Sequence, residues 1–581
     1  MPVPALPLNA AFSDFKENQP QLQQFRALAE QYINSSLSEN NEEKIGYLMN
    51  SLARKIPSLD CEAGLFDFIP LLEWLEKIVG TTQSLLVKAR PGSEMQKELI
   101  RFFDAVYQAR LIIHHIFARR TFERLAEAFK NNSTEEILGI SAIFAKVGTP
   151  DFQLPLWSMI KKAKDLRIKK TLISVLGKTG NQSAANLVYT TLHASPEKVY
   201  LDALVDLGLP AFEHKQKKKK STLKRLISKE TPDRNMKRFY RNFRTFRQEL
   251  ERIFQTLNLN DEEKDYYRQA IFQTRGKEKK IGDYTFLYRG ISFKEGDVVF
   301  TLNVDPISRW WGTVTSHPVG FDHVSLITFS RKGFPLVADV GSRVRLTHLE
   351  DALSIRSDFL VLRLKNMNSF FRQRVNRVIN LYYKNRMFTK YDGNFDYKTD
   401  LSFYCSEFVY HVFRHAAIPL NWVYSELATP QAKINMAKLG ILHERFITHG
   451  DYLRMPEFSY VGSCYNKSLE ARVVGGMLVD VYLDNFKTKE LDLKRIPNKT
   501  RYRTMAKLFR FANVRSAKQF PSNMEFALVA FFETFGKTYK KIRERMKKER
   551  IELTDYSSYK RRLKEIIDQE TEDLVASIFH R

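Results

Sequence analysis

Cysteine is nearly missing from this chain of 581 residues: Cys61, Cys405 and Cys464 are its only three. An odd, sparse set builds no disulfide framework and fits a reducing compartment. The first thiol also lies too deep in the chain to be a lipoprotein attachment site. Long apolar runs are missing as well. No stretch reaches the roughly 18–20 uninterrupted apolar residues of a membrane span, and the N-terminus, broken by Pro2, Pro4 and Pro7, lacks the basic stretch that opens a signal peptide. Neither a classical signal peptide nor a transmembrane segment is therefore expected. Acidic residues are in deficit, 66 Asp and Glu against 93 Lys and Arg, which leaves a net charge of +27. Such a surface attracts membrane phospholipid, anionic wall polymer or nucleic acid at low salt. No zinc-finger spacing, RNA-recognition signature or Walker lysine loop appears, so nucleic acid is the weakest of the three and no cofactor is expected.

With 43% hydrophobic residues the chain can fill several cores, and at about 100–200 residues per domain its length implies three or four units. Residues 1–213 read as helical. Gly148-Thr149-Pro150, Gly180-Asn181-Gln182 and Gly208-Leu209-Pro210 each close an apolar helical segment at near-regular spacing, which suits either short HEAT-like helical pairs or a plain bundle. No polar residues converge there, so the module reads as a binding or docking surface. His114 and His115 fall in the apolar run from Leu111 to Phe117 and read as core, because no ligand-type neighbour sits at metal spacing. Residues 214–234 form a basic linker around Lys217-Lys218-Lys219-Lys220. Residues 235–282 are connecting helices, in which Phe239, Phe243, Phe246, Leu250, Ile253 and Leu257 line one face. Residues 283–466 are an α+β domain. Residues 467–581 are a basic, mainly helical extension, with Val473 to Tyr482 a candidate strand and Lys537 to Arg550 a charged helix face.

Chemistry concentrates in the α+β domain. Tyr404-Cys405-Ser406-Glu407 precedes Phe408, Val409, Val412 and Phe413, which recur at helical spacing, so Cys405 falls in the first turn of an amphipathic helix, with Ser402 and Ser406 as candidate caps. A thiol there meets the positive end of the helix dipole, which lowers its pKa, and the free N–H groups can hold an oxyanion. A cysteine beside an apolar face is also ordinary core packing. Two upstream strands tilt the balance toward a nucleophile. His323 begins the run Val324 to Phe329, and Asp339 lies within Leu336 to Val340, where a buried carboxylate needs a partner. Thiol, imidazole and carboxylate are the parts of a nucleophile, its base and an orienting group. His317 and His348 rank below His323, since neither opens an apolar strand and His348 reads as a helix entry. Glu407 suits the helix N-terminus electrostatically, Cys464 reads as a buried thiol, and Trp310-Trp311 as groove lining or as filling of a local core.

The order Gly296-Asp297, His323-Val324, Asp339, a helix around Phe370 to Tyr383, Tyr391-Asp392 with Phe395, and Tyr404 to Glu407 resembles the circularly permuted NlpC-type papain-like cysteine hydrolases. The likeness is to their YiiX-like and YebB-like branch, related to lecithin retinol acyltransferase-like enzymes, and covers roughly residues 285–465. It implies Cys405 as nucleophile, His323 as base and Asp339 as the third member, where relatives more often carry Glu or His. The implied activity is hydrolysis or transfer of an amide- or ester-linked acyl group, with peptidoglycan-type peptides or lipid acyl groups as substrates. Many such relatives are exported envelope proteins. The other reading is a non-catalytic adaptor, in which the helical module and basic surfaces bind partners and the papain-like domain only recognises a ligand.

Overall fold

A computed structural model describes residues 20–35, 42–55, 68–89, 93–180, 182–208, 232–272, 284–302, 315, 321, 323–331, 333–340, 344–354, 358–384, 390–392, 395–396, 402–465, 469–494, 496, 500–504, 522–549 and 556–579. The Lys217–Lys220 run, Cys61, His317 and Trp310-Trp311 lie outside them.

The N-terminal region is helical, as its periodicity requires. Ser93 Oγ accepts from Gln96 N at 3.2 Å and starts the long helix Glu94–Lys130. Asp165 caps Leu166–Thr179 by accepting from Arg167 N at 2.6 Å, satisfying an N–H that no helical carbonyl can reach. Helices Thr134–Val147, Leu166–Thr179 and Lys198–Leu207 each end at the residue before an expected glycine stop. Gly208 has φ 80°, a backbone conformation that side chains rarely adopt, so the backbone favours glycine there.

Strands β1 (Thr285–Tyr288) and β2 (Ile291–Lys294) form a hairpin beside a six-stranded sheet. That sheet comprises β3 (Val298–Leu302), β4 (His323–Phe329), β5 (Pro335–Val340), β6 (Val344–His348), β7 (Asp358–Leu364) and β12 (Phe458–Tyr465), in the order β12-β7-β3-β4-β5-β6, every pair antiparallel. Asp297 ties the turn before β3 to β7, its two carboxylate oxygens accepting from Arg363 Nε and Nη2 at 2.7 Å each. Two short pairs complete the domain, β8 (Lys390–Tyr391) with β9 (Ser402–Phe403) in parallel, and β10 (Ser425–Glu426) with β11 (Arg445–Phe446).

One continuous apolar core runs from the N-terminal helices through one face of this sheet to the C-terminal helices, joining Ile113, Leu326, Phe408 and Leu478. Polar contacts seal the same junction: Tyr107 Oη donates to the buried Asp358 Oδ2 at 3.0 Å, and Gln83 Nε2 donates to Leu453 O at 3.3 Å. The helical region thus uses its inner faces as structural support for the sheet. His115 is buried, and His114 donates to Val147 O at 2.8 Å. Phe243, Phe246, Leu250 and Ile253 are buried as their spacing demands, in helix Pro232–Thr256, and Phe243 meets Phe334 edge-on at 4.9 Å.

The candidate strand from Val473 to Tyr482 is instead the middle of helix Leu469–Thr488. Val473, Val474, Leu478, Val479, Tyr482, Leu483 and Phe486 are buried at helical spacing in the common core, so tertiary burial of that face outweighs the β preference of the paired valines. The basic run after Lys537 lies in helix Ser522–Lys548, where Ile542 is buried and Lys540 and Lys541 stay on the solvated side. No helix among the described residues is long and apolar enough to cross a membrane.

Candidate active site

Cys405 is the first residue of helix Cys405–His415. Phe403 is still extended in β9 and Tyr404 keeps that conformation as the N-cap, at φ −92° and ψ 172°. Neither Ser402 nor Ser406 caps the helix: Ser402 belongs to β9 and Ser406 lies one residue inside. Glu407 completes the terminus instead, its Oε2 accepting from Tyr404 N at 3.1 Å. Its other oxygen faces His411 Nε2 at 3.4 Å in a fully buried pair. Glu407 is therefore committed to holding the helix end.

Phe408, Val409, Val412 and Phe413 are buried, and the helix lies across β4 and β5. Tyr452 Oη donates to Ser406 O at 2.6 Å and fixes the first turn from the opposite side. These contacts leave Cys405 7% exposed at the positive end of the helix dipole.

Two imidazoles gather here. His449 Nε2 stands 3.5 Å from Cys405 Sγ. It opens the short helix His449–Leu453, so thiol and imidazole each occupy the first position of a helix. Thr448 and Asp451 anchor that second helix, with Asp451 Oδ2 accepting from Thr448 N at 2.6 Å and Ser425 Oγ donating to Asp451 Oδ1 at 2.7 Å. His449 Nδ1 is shielded from solvent without a hydrogen-bond partner. Burial first, and the charge of nearby His323 second, push the His449 pKa down to about 3, so its ring is neutral at physiological pH.

His323 opens β4 and its Nε2 lies 3.3 Å from Asp339 Oδ2 in β5. Asp339 is directly opposite Arg345 of β6 in the sheet register, and Arg345 donates through Nε to Oδ1 and through Nη2 to Oδ2, the latter at 2.8 Å. Burial alone would raise the Asp339 pKa. Arg345 and His323 overcome it and hold the carboxyl below its ordinary range, so His323 is backed by a permanent negative charge.

Sequence reasoning missed His449 and Arg345. The Thr448-x-x-Asp451 capping pattern was the available signal for a helix start at His449. Nothing local marked Arg345, which matters only through strand register. His348 ends β6, immediately before helix Leu349–Ser354, and so stands at the helix entry. It is buried edge-on to Phe286, and burial alone drives its pKa to about 3. Cys464 is half-buried on β12, not fully buried. Among the described residues no group of three or more His, Cys, Asp or Glu could hold a metal.

Residues 292–451 match the family described as permuted papain-like amidase enzymes, the YaeF/YiiX or C92 family. No curated protein and no solved structure matches the chain.

Proposed function

We propose, because residues 292–451 form a domain of the permuted papain-like amidase family, that this cysteine hydrolase cleaves a peptide-type amide by acyl transfer through Cys405, His323 and Asp339. The observation that carries the reading is the Cys405 thiol at a helix N-terminus, 3.5 Å from His449 Nε2, with the His323–Asp339 pair, 3.3 Å apart, near enough for the His323 charge to act on His449.

His323 is the better base. Proton transfer from sulfur creates an imidazolium, and only His323 has an ionised carboxylate behind it to stabilise that charge. His449 has no such partner and is buried neutral. Asp339 engages His323 Nε2, which leaves Nδ1 as the nitrogen that takes the thiol proton. The thiolate then attacks the carbonyl carbon, and the N–H groups of the first helical turn receive the oxyanion. The C–N bond breaks as the leaving amine takes the proton from His323. Water, deprotonated by the same imidazole, attacks the thioester and releases the carboxylate product with the thiol restored. His449 contributes a neutral N–H toward sulfur, favouring the thiolate without competing for its proton.

A peptidoglycan-type peptide is the substrate we favour, with a lipid acyl group as the alternative, and the helical module of residues 1–213, read as HEAT-like, serves as a scaffold for the domain. Iodoacetamide alkylation at graded pH, followed by peptide mapping, tests the assignment. Cys405 should react faster than Cys61 and Cys464 at pH 6. Equal rates at all three would favour the adaptor reading.

A further inference from the structure

Helix Ser369–Lys384 carries four basic residues, Arg372, Arg374, Arg377 and Lys384, and no acidic one. Val375, Ile379 and Tyr382 are buried and recur at helical spacing, so one face is committed to the core. The opposite face is a strip of Phe370, Arg374, Arg377, Leu381 and Lys384. Alternate steps of four and three residues place these five side chains in one row, about 21 Å long at the helical rise per residue. Phe370 is 60% exposed and Leu381 58% exposed. The Arg374 guanidinium lies 5.5 Å from the centre of the Phe370 ring, and among the described residues Arg374, Arg377 and Lys384 form no ion pair.

The composition of this row decides what it fits. A single exposed apolar side chain is ordinary, but here two share a row whose other members are all cations. A second copy of the chain is a poor occupant, because a two-fold contact would set like charges against each other on a molecule of net charge +27. A soluble polyanion would answer the cations and leave Phe370 and Leu381 in water. An acidic phospholipid surface answers both. Its phosphates and acidic headgroups meet Arg and Lys, whose stems lie along the apolar layer, while Phe370 and Leu381 enter the boundary between headgroups and acyl chains. The basic helix Ser522–Lys548 differs in kind, since Lys540 faces Glu544 at 3.7 Å and Arg545 faces Glu549 at 2.6 Å, so part of its charge is neutralised within the fold.

We propose that the face of helix Ser369–Lys384 bearing Phe370, Arg374, Arg377, Leu381 and Lys384 docks the protein on a membrane surface containing acidic phospholipid. Tyr382, next to Leu381, packs on Phe403 with ring centres 5.1 Å apart, and Phe403 lies just before the Cys405 helix, so the docked helix is tied directly to the Cys405 segment. The docking does not depend on the chemistry assigned to Cys405.

The test is co-sedimentation of the full chain with vesicles of phosphatidylcholine alone and of phosphatidylcholine mixed with phosphatidylglycerol, across a salt series. The wild type should bind the acidic vesicles, more weakly as salt rises, and leave the neutral ones unbound. Each cation near an acidic surface is worth about fivefold, so Arg377→Glu with Lys384→Glu should weaken binding by about tenfold or more. Phe370→Ser with Leu381→Ser should also weaken it several-fold at unchanged charge. Both serines replace side chains that already face water, so this variant should melt near the wild-type temperature, and it decides the matter should the charge-reversed variant fail to fold. Lys540→Glu with Lys541→Glu makes the same change of net charge on another helix and should bind nearly as the wild type does. The proposal is overturned if acidic vesicles do not bind, if neutral vesicles bind equally well, or if the Lys540 and Lys541 variant loses as much as the strip variants, since net charge alone then drives binding. It is also overturned if either strip variant binds undiminished; the serine variant alone doing so would mark the row as a contact for a soluble polyanion.

Discussion

Replacing Asp339 by Asn removes the one charge that favours an imidazolium at His323 and leaves Arg345 behind as an uncompensated cation. Two unit charges 3.3 Å apart, the His323–Asp339 separation, interact by about 5 kcal/mol at an effective dielectric of about 20. Arg345 shares the same carboxylate at 2.8 Å, so roughly half of that, about 2.5 kcal/mol, is a reasonable floor for what the thiolate–imidazolium pair loses. That corresponds to nearly a hundredfold in turnover, and the tautomer error that an amide imposes on a triad histidine extends the range toward about ten-thousandfold. Activity should fall without vanishing, because the oxyanion donors and bound geometry survive. The readout that separates electrostatics from simple loss of packing is Cys405 alkylation across pH. In the wild type reactivity should persist down to about pH 6, whereas in Asp339→Asn it should retreat toward the ordinary thiol pKa of about 8.5. Removing the stranded cation as well, in Asp339→Asn with Arg345→Met, should recover part of the loss. An Asp339→Asn protein with wild-type turnover and an unchanged alkylation profile would refute the reasoning.

Cys405→Ala should abolish acyl-enzyme formation, measured by intact mass after substrate addition, while its melting curve stays near wild type; a persisting adduct would place the nucleophile elsewhere. His323→Gln should remove low-pH alkylation of Cys405, whereas His449→Gln, which keeps an N–H, should retain it and lower turnover only modestly; the reverse pattern would make His449 the base. Glu295 is buried and its pKa is pushed up to about 8 by burial, against hydrogen bonds from Thr328, Phe329 N and Asn376. The folded state therefore holds a proton that the unfolded state releases above pH 4.5, and this contribution to stability falls by about 1.4 kcal/mol per pH unit until pH passes about 8. Urea denaturation at pH 5.5 and 7.5 should show wild type losing roughly 2–3 kcal/mol relative to Glu295→Gln over that interval; parallel behaviour of the two proteins would contradict it.

Local pattern was sufficient wherever one segment carried its own instructions. The run after Cys405 declares an amphipathic helix through apolar spacing alone, the apolar runs after His323 and around Asp339 declare strands, and the glycines at 148, 180 and 208 close helices, the first two because a Cβ would crowd the preceding turn and the third because its φ is 80°. Thiol, imidazole and carboxylate could thus be named from chain order. What local pattern could not supply was contact between residues far apart in sequence. His449 approaches the sulfur only because Tyr452, Asp451 and Ser425 anchor its short helix against the Cys405 helix. Arg345 reaches Asp339 only through the β5–β6 register. Val473 to Tyr482 is helical because the shared core rewards one face of it, which outweighs its valines' own preference. The helical region supports the sheet rather than standing apart, since Tyr107 and Gln83 find partners more than 250 residues away. Such interactions depend on burial and distance, and those exist only once the chain has folded.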